Sequence, residues 1–419
     1  MEKYQKLRVI AYNDAEKFDQ IVKERKNSFS SVKTDLFINP FDSRKEILLS
    51  EKEELFFLIL QQTSLLKDKL NENSREIYGL LNVLPQITQD NIFYHFLVEE
   101  IQASNDIEGV VSTRKEIREA ISAVLKKSKE EKRFKSLVYQ YMNFQKSQFG
   151  SINKIEEVRE IYDNLLSDEL TEDDKLRSDE MFRSEPVYIV DQKTGKKIHQ
   201  GVSGQEAIKE NLSDLVKFMN RSDIPVFEKA FVTHFFFENI HPFYDGNGRT
   251  GRFLLCSYLA KKLDYLSAVG VSVAILDNKK KYYQAFQEVS HPKNAGETTF
   301  FISDMFEILL KAQEKVLKSL KKSQEELNHV QKNIEVLSKT DEEACVLFIL
   351  AQEKMYDGIQ AVSDAKLAES IGISRRTLKG ILEKLVVSGS IKQVKQNPSV
   401  HKITSDFWTQ IQKGENHDK

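Results

Sequence analysis

One stretch of twelve residues, 241–252, constrains this chain more than any other part of it. It reads His-Pro-Phe-Tyr-Asp-Gly-Asn-Gly-Arg-Thr-Gly-Arg, and the apolar run from Arg249 to Leu263 predicts a helix. The glycines at Gly246 and Gly248 permit positive φ angles, so the backbone N–H groups between them can form an anion nest at the helix N-terminus. The sequence therefore predicts a phosphate site built on a helix.

The side chains of this stretch fit the chemistry of phosphate transfer. His241 titrates near neutral pH and can take a proton from an attacking hydroxyl. Asp245 offers hard oxygen ligands to Mg²⁺, which keeps most of its shell as water and phosphate. Arg249 and Arg252 lie three apart on one helix face and can bracket a polyphosphate. A simple turn needs none of these groups, so we interpret the stretch as a phosphate-handling site.

The stretch resembles the signature of the Fic (filamentation induced by cAMP) family, HxFx(D/E)GNGRxxR, and matches it at every fixed position. The resemblance implies a mainly α-helical fold and transfer of AMP from ATP to a Ser, Thr or Tyr hydroxyl of a target protein or of the chain itself. It implies that His241 is the base, that Asp245 holds Mg²⁺, and that Arg249 and Arg252 support the β- and γ-phosphates. The remaining implied nucleotide-binding positions are Gly246, Asn247, Gly248, Thr250 and Gly251.

Composition limits the other classes of protein. Charged residues make up 30% of 419 residues and the formal net charge is −2, so bulk charge predicts neither a nucleic-acid nor a membrane partner. Cys256 and Cys345 lie 89 residues apart, which argues against a disulfide framework. Residues 1–12 lack an apolar signal segment, and the longest uncharged apolar run, 344–351, is too short to span a bilayer. We expect a cytoplasmic protein with two or three domains.

The N-terminal part carries weaker signals. We expect residues 1–48 to be an irregular arm, with a capping box at residues 43–46. From 47 to 149 the pattern predicts helices, with Leu55, Leu58, Gln62 and Leu65 spaced for one face. The prediction for residues 1–89 is thus an arm followed by helices.

A second motif lies at the end of a helix that we expect Asp90 to cap and residues 91–108 to form. Ser104 and Glu108 project from one face, Gly109 suits a C-cap, and spacing alone favours a solvated helix end. Beside the signature, however, this end resembles the Fic inhibitory motif (S/T)xxxE(G/N). The resemblance implies that Glu108 pairs with Arg252 and obstructs the γ-phosphate. The next helix opens with a capping box at residues 113–116.

Strand periodicity between residues 183 and 201 predicts a β-hairpin with its turn at 191–195. A hairpin without function is the plain alternative. Its place ahead of the signature resembles that of the Fic flap, which implies that a target segment is added here as a further strand. The flap positions are Val187, Tyr188, Ile189, His199 and Gly201.

Helices are predicted over 204–220 and 226–239, with His234 packed rather than acting as a metal ligand. Tyr282 and Tyr283 open a further helix, where aromatic pairs are usually core. In Fic relatives such a pair borders the adenine, with an Asn seven residues after the second Tyr. This chain has Ser290 there, which leaves the preference for ATP over another nucleotide open.

The C-terminal third predicts a long helix over 299–338 and then a winged-helix domain. We expect the long helix to dock on the core, with a coiled-coil homodimer as the alternative. Residues 364–371 and 375–388 predict a helix-turn-helix, and 390–403 predict two strands. From 375 to 402 seven basic residues stand against Glu383, a net of +6, although 341–419 overall balances 11 basic against 11 acidic residues. Both DNA binding and protein docking are open for this domain.

These patterns predict a mainly α chain with a helical Fic core, a small flap and a winged helix. The domains are 1–89, a Fic domain at 90–310 with the inhibitory helix, a connecting helix at 311–340, the winged helix at 341–410 and a tail at 411–419. The leading function is an autoinhibited protein adenylyltransferase that uses ATP and Mg²⁺ and can also remove AMP. The alternatives are a DNA-binding regulator whose Fic core senses nucleotide, and a Fic transferase for UMP, phosphate or phosphocholine.

Overall fold

The fold is that of a computed structural model, which describes residues 4–146, 150–171, 175–190, 194–356, 359 and 362–414. Within these residues the chain is mainly α-helical, as predicted, and its strands form four two-stranded antiparallel sheets. A single large apolar core extends from Leu36 to Leu327, and a second one lies in the C-terminal part. Among the described residues, no helix has both the length and the apolar character that crossing a bilayer requires.

Residues 7–58 form helices and strands, so the prediction of an irregular arm is wrong for the described part of residues 1–48. The elements are α1 (Leu7–Asn13), α2 (Ala15–Lys26), β1 (Ser31–Ile38), β2 (Phe41–Asp42), β3 (Ile47–Leu48) and β4 (Glu53–Leu58). β1 pairs with β4, and residues 43–46 form the turn between β2 and β3 rather than a helix cap. Leu55 and Leu58 therefore lie in a strand, not on a helix face. Residues 55–58 are buried on both faces of β4, and a continuous apolar run does not distinguish such a strand from a helix.

A helical layer follows and carries the second motif. It consists of α3 (Gln61–Asn82), α4 (Gln86–Glu108), α5 (Arg114–Leu125), α6 (Lys135–Met142) and α7 (Ile155–Leu166). α4 begins four residues before the predicted Asp90 cap, because Pro85 takes the cap position and Asp90 instead accepts a hydrogen bond from Gln86 inside the helix. Its end agrees with the prediction, since Gly109 is the C-cap with φ 76°. The capping box of Thr113 and Glu116 is also present.

The flap and the signature helix lie at the centre. The elements are β5 (Tyr188–Val190), β6 (Lys197–Gln200), α8 (Gln205–Met219), α9 (Val226–Ile240), α10 (Asn247–Lys262), α11 (Tyr265–Ala268), α12 (Val271–Asp277) and α13 (Lys279–Ser290). The hairpin is shorter than predicted, and residues 191–193 of its predicted turn lie outside the described residues. Every residue of α9 from Phe227 to Ile240 is buried, so α9 is a central helix that presents its C-terminal end to the site.

The long helix α14 (Thr299–Leu337) docks on the body of the chain, as expected. It packs against α3 and α12, and further along against α15 and α18. The predicted stripe is buried within the chain at Val316, Leu320, Leu327, Val330 and Ile334. The helix is continuous across residue 310, where we had placed a domain boundary.

The C-terminal part has its own core, built from helices and one two-stranded sheet. It comprises α15 (Asp341–Met355), α16 (Asp364–Ile371), α17 (Arg375–Val387), β7 (Ile391–Gln396), β8 (Ser399–Ile403) and α18 (Ser405–Lys413). Gly372, with φ 76°, makes the turn between α16 and α17. α18 was missed: Thr404 caps it, and Ile411 is buried where the tail was predicted to begin.

Candidate active site

The loop 241–246 joins α9 to α10 and gives the site its shape. Gly246 is the N-cap of α10 at φ 78°, and a Cβ there would overlap Leu166. Asn247 closes the loop from inside: its Oδ1 accepts from the Phe243 N–H and its Nδ2 donates to the Phe243 carbonyl, both at 2.8 Å. The Asn247 side chain thus shapes the loop.

His241 is placed as a neutral base at the end of α9. Its backbone is left-handed at φ 53°, and its Nδ1 lies 3.3 Å from the Glu238 carbonyl. Because that carbonyl can only accept, Nδ1 carries the proton and Nε2 keeps its lone pair. Burial lowers the pKa of His241 to about 4, and the neighbouring His199 works in the same direction. At neutral pH the ring is therefore uncharged and can accept a proton.

Ser104 and Glu108 of the second motif lie directly on Arg252. Arg252 is 1% exposed, and its Nη1 donates to Glu108 Oε1 at 2.6 Å. Its Nε donates to Ser104 Oγ at 3.0 Å, and its Nη2 donates to the Ser104 carbonyl at 2.9 Å. Ser104 is buried while Glu108 is partly exposed, so the solvated helix end expected from spacing alone is wrong for Ser104. All three guanidinium nitrogens of Arg252 are engaged by α4.

The electrostatics of this pair favour its charged form. Burial raises the pKa of Glu108, but the charge and hydrogen bond of Arg252 outweigh burial, and the pKa lies below its ordinary value. Gly248 makes the approach possible, because a Cβ at this position would overlap the Glu108 carboxylate. The Glu108 side chain remains 32% exposed, so the pair lies at the wall of an open pocket.

Arg249 has a different environment from Arg252. It is 4% exposed, and it donates from Nη1 to Glu169 Oε2 at 2.9 Å and from Nη2 to Asp245 Oδ2 at 2.8 Å. Burial raises the pKa of Glu169 to about 7, although the charge of Arg249 opposes this. Thr250 is fully buried beside it. Arg249 therefore fixes the Asp245 carboxylate at the edge of the loop.

Asp245 fits the single-carboxylate site that Mg²⁺ commonly uses. Its side chain is 48% exposed, and the bond to Arg249 engages Oδ2. Among the described residues, no cluster of three His, Cys, Asp or Glu side chains could enclose a metal ion. A metal ion at Asp245 would therefore take its other ligands from water and phosphate, as Mg²⁺ does when it binds with a nucleotide.

A pocket of 310 Å³ lies between α4, the flap, α9 and α13. Predicted site residues line it: Glu108, Val187, Tyr188, Ile189, His199, His241, Gly248, Arg252, Tyr282 and Tyr283. Ser290 also lines it, at the place where Fic relatives carry Asn. Arg249, Asp245 and Gly201 do not line it. Ten of the sequence-predicted residues thus meet around one cavity of a size suited to a small ligand, while Ser104, Gly246, Asn247, Thr250 and Gly251 also lie outside its lining.

His234 and Tyr282 are coupled beneath this pocket. His234 is buried, with Nδ1 3.2 Å from the Gly251 carbonyl and Nε2 2.7 Å from the Tyr282 hydroxyl. Since Nδ1 must donate to the carbonyl, Nε2 accepts from Tyr282. His234 is thus a packed histidine that orients Tyr282, as expected from the sequence.

The flap is anchored at its base and exposed at its rim. His199 donates from Nε2 to the Asn239 carbonyl at 2.9 Å, and Gly201 donates from its N–H to the Val187 carbonyl at 3.1 Å. Tyr188 is 40% exposed, with Lys197 Nζ 3.7 Å from its ring centre. β5 thus presents residues to solvent beside the pocket, as a strand that accepts a further strand must.

Three charged groups at the site were missed by sequence reasoning: Glu169, Arg183 and Glu238. Glu238 lies with Oε2 4.0 Å from His241 Nδ1, and burial raises its pKa to about 8. A Cβ at Gly251 would overlap its carboxyl group, which explains that glycine. Glu238 stands three residues before His241 on a helix that ends there, which was an available signal. Glu169 and Arg183 lie 80 and 58 residues from the groups they bind and carried no local signal.

The comparisons with known proteins agree with this site. Residues 152–259 match the model of the Fic/DOC family. A probable protein adenylyltransferase of Aquifex aeolicus is 39% identical over 69 residues, 16% of this chain and 19% of the relative. The match therefore spans only about a fifth of that relative's length.

Solved structures give weaker likenesses. A Fic family protein from Desulfovibrio desulfuricans has a TM-score of 0.49 at 19% identity, covering 83% of this chain and 97% of that one. A Fic domain containing signaling protein from Bacteroides thetaiotaomicron has a TM-score of 0.42 at 18% identity, covering 60% and 95%.

Proposed function

We propose that this protein is a Fic-type adenylyltransferase that transfers AMP from ATP to hydroxyl groups of target proteins and of itself, and that α4 inhibits it. One observation carries the proposal: a neutral His241 and the buried Arg252 line the same pocket, and Glu108 occupies Arg252 there. A base and an anion site around one cavity suit phosphoryl chemistry. The Fic/DOC match of residues 152–259 supports the same reaction class.

The chemistry follows from the positions of the groups. A Ser, Thr or Tyr hydroxyl delivered along β5 would give its proton to His241 Nε2 as its oxygen attacks the α-phosphorus. The new O–P bond forms while the bond between the α-phosphorus and the bridging oxygen breaks, and pyrophosphate leaves. N–H groups at the start of α10 would hold the α-phosphate, and Arg252 would hold the γ-phosphate once Glu108 withdraws. Mg²⁺ on Asp245 would neutralise phosphate charge.

Inhibition would arise from competition for Arg252. Glu108 uses the Nη1 donor that a phosphate oxygen would need, and its negative charge repels the phosphate. Breaking a buried ion pair costs about 3–5 kcal/mol, and we expect a smaller cost here because Glu108 is 32% exposed. ATP would still enter but with its α-phosphate out of line, and small misplacements lower rates steeply.

The same site would also serve related reactions. Glu108 could position water against the modified hydroxyl and remove AMP. Ser290 lines the pocket at the position where Fic relatives carry Asn. The main alternative to AMP transfer is therefore transfer of UMP, phosphate or phosphocholine from another donor. Incubation of the purified Glu108→Gly variant with each labelled donor and cell lysate, followed by mass spectrometry, separates them. The proposal requires the mass increase of AMP on protein hydroxyls, and a different mass increase would reassign the donor.

The pH dependence of transfer tests the assignment of His241. Burial keeps the pKa of His241 near 4, below its ordinary value of 6.5. The ring therefore stays in the neutral form, which is active as a base, in solutions whose pH is well below 6.5. Removing Glu108 lowers this pKa further, because the carboxylate charge raises it. We therefore expect kcat/KM of Glu108→Gly to hold down to about pH 5. An acid limb with its midpoint near 6.5, in protein that circular dichroism shows to be folded, would contradict the assignment.

A second candidate function is DNA binding by the C-terminal part. Arg375, Arg376 and Lys379 are exposed at the start of α17, the second helix of the helix-turn-helix. Four further basic residues follow before position 403, and Glu383 is the single acidic residue between 375 and 402. The four are Lys384, Lys392, Lys395 and Lys402. This concentration of charge supports phosphate contacts, although Lys402 is paired with Glu353 at 3.0 Å, and protein docking is the alternative.

Salt dependence tests this second function. We expect log affinity for genomic DNA fragments to fall with log salt at a slope near −0.9 per phosphate contact, and Arg375→Ala to reduce that slope by about one contact. Lys366→Ala, which removes an exposed lysine from α16, should leave the slope unchanged. Failure to bind any fragment at about 50 mM salt would favour protein docking.

A further inference from the structure

Arg183 is a fully buried arginine whose side chain, among the described residues, donates to backbone carbonyls. Its Nε donates to the His241 carbonyl at 2.7 Å, and its Nη2 donates to the Val202 and Ile240 carbonyls at 2.7 and 3.2 Å. Its Nη1 donates to the Glu185 carbonyl at 2.6 Å. Within the described ranges it forms no ion pair with a carboxylate, and burial lowers its pKa to about 10. Burying a charge without a counter-ion costs free energy, so the presence of Arg183 at this position requires an explanation.

The carbonyls belong to three segments that meet at the site. Glu185 lies in the segment that leads into the flap, Val202 follows the flap, and Ile240 and His241 form the end and C-cap of α9. The backbone reinforces the junction, since Arg183 N–H donates to the Pro242 carbonyl at 3.1 Å and Val202 N–H to Ile240 at 3.0 Å. One guanidinium therefore ties both ends of the flap to the turn that carries His241.

That turn needs such support. His241 has φ 53°, a left-handed conformation that a non-glycine residue keeps only where its surroundings enforce it. The carbonyl of this residue accepts the Nε bond of Arg183. Gly201 fits the same reading, because a Cβ there would overlap Arg183 Nη2 and lie 2.9 Å from His241 Cβ. The Arg183 guanidinium thus packs closely against the backbone of Gly201, at the end of the flap.

We propose that Arg183 is a positioning residue, which holds the His241 turn and the flap base in one fixed relation so that a hydroxyl docked on the flap meets Nε2. This inference rests on the proposed function, and Arg183 itself does not line the pocket but bonds the backbone of His241, which does. A planar guanidinium can serve four acceptors from three segments, whereas the ammonium of lysine has three donors and no fixed plane. Arg183→Lys therefore keeps the charge and loses the geometry.

Kinetics separate positioning from simple stabilisation. In the Glu108→Gly background we expect Arg183→Lys and Arg183→Met to lower kcat at least about tenfold, because misplacement of a base costs rate steeply. The Kd for ATP, measured by calorimetry, should stay within about twofold, since the phosphate and base contacts lie elsewhere. The matched control is Arg177→Lys in the same segment, whose side chain is 64% exposed on Glu185 and which should match its parent. A kcat within about twofold of the parent for folded Arg183→Lys overturns the proposal, as does failure of both Arg183 variants to fold.

The His241 ring gives a readout that does not depend on transfer. His199, Glu238 and Glu108 face this ring along with Arg183, and in the native chain we expect it to titrate near pH 4 by NMR. In Arg183→Lys the relaxed turn should let water reach the ring, and the pKa should rise by at least about one unit toward its ordinary value. An unchanged titration overturns the positioning role. Absence of AMP transfer in every variant, Glu108→Gly included, would refute the proposed function while leaving this titration to decide on Arg183.

Discussion

We expect His241→Ala, made in the Glu108→Gly background, to transfer AMP about 10²–10⁴ times more slowly than its parent, the usual cost of losing a general base. His241 is a neutral imidazole with Nε2 free, and it lines the pocket beside Arg252. The Kd for ATP should change little, because the ring is placed for the hydroxyl and not for the phosphates. Single-turnover rates with labelled ATP, together with calorimetric titration of ATP, measure both quantities.

His95→Ala is the matched control for this loss. His95 lies on α4 with its side chain 47% exposed, paired with Glu99 at the surface. Its removal should leave both rate and affinity at the parent values. Equal transfer by His241→Ala and its parent would show that another group takes the proton.

The second large effect concerns the proposed inhibition of the site by Glu108. Glu108→Gly should raise AMP transfer, self-modification included, by at least about tenfold, which corresponds to ~1.4 kcal/mol of barrier. The reason is that Arg252 Nη1, now bonded to Glu108 at 2.6 Å, becomes available to the γ-phosphate. Adding Arg252→Ala should largely cancel the gain, since the freed arginine is what the substitution exposes.

Asp106→Gly separates this effect from damage to the helix end. Asp106 is an exposed acidic residue in the same last turn of α4, so its replacement removes a carboxylate and adds a glycine without touching Arg252. Its transfer rate should stay at that of the unmodified chain. If Asp106→Gly activates as strongly as Glu108→Gly, then loosening of α4, not the loss of the ion pair, is the cause.

The local part of the site could be predicted from the sequence because its groups are close together in the chain. The loop 241–246, its glycine at 246 and the helix that follows all come from one continuous stretch. The Gly109 cap and the flap hairpin were likewise local patterns. The pairing of Glu108 with Arg252 spans 144 residues, and it was expected through the family resemblance because spacing alone favoured solvent.

The remaining features depend on tertiary packing. The Glu169 bond to Arg249 spans 80 residues and places this arginine on a carboxylate rather than in the pocket. Arg183 reads as an ordinary charged residue until its four carbonyl partners are known. The sequence pattern predicts a helix at β4, because a strand that is buried on both faces shows no alternation of apolar and polar residues. Sequence periodicity reveals an element that is buried on one face. The environments of Glu169, Arg183 and β4 depend instead on contacts from several sides.

The most direct test of the central claim measures AMP incorporation from labelled ATP, identified by mass, in parallel for the unmodified chain, Glu108→Gly and Glu108→Gly with His241→Ala. An inhibited adenylyltransferase predicts little incorporation by the first, at least about tenfold more by the second, and a return to the first level or below in the third. Incorporation by Glu108→Gly that is no greater than that of the unmodified chain, across several candidate targets, would contradict the inhibitory role of Glu108. Undiminished incorporation by the double variant would contradict the role of His241.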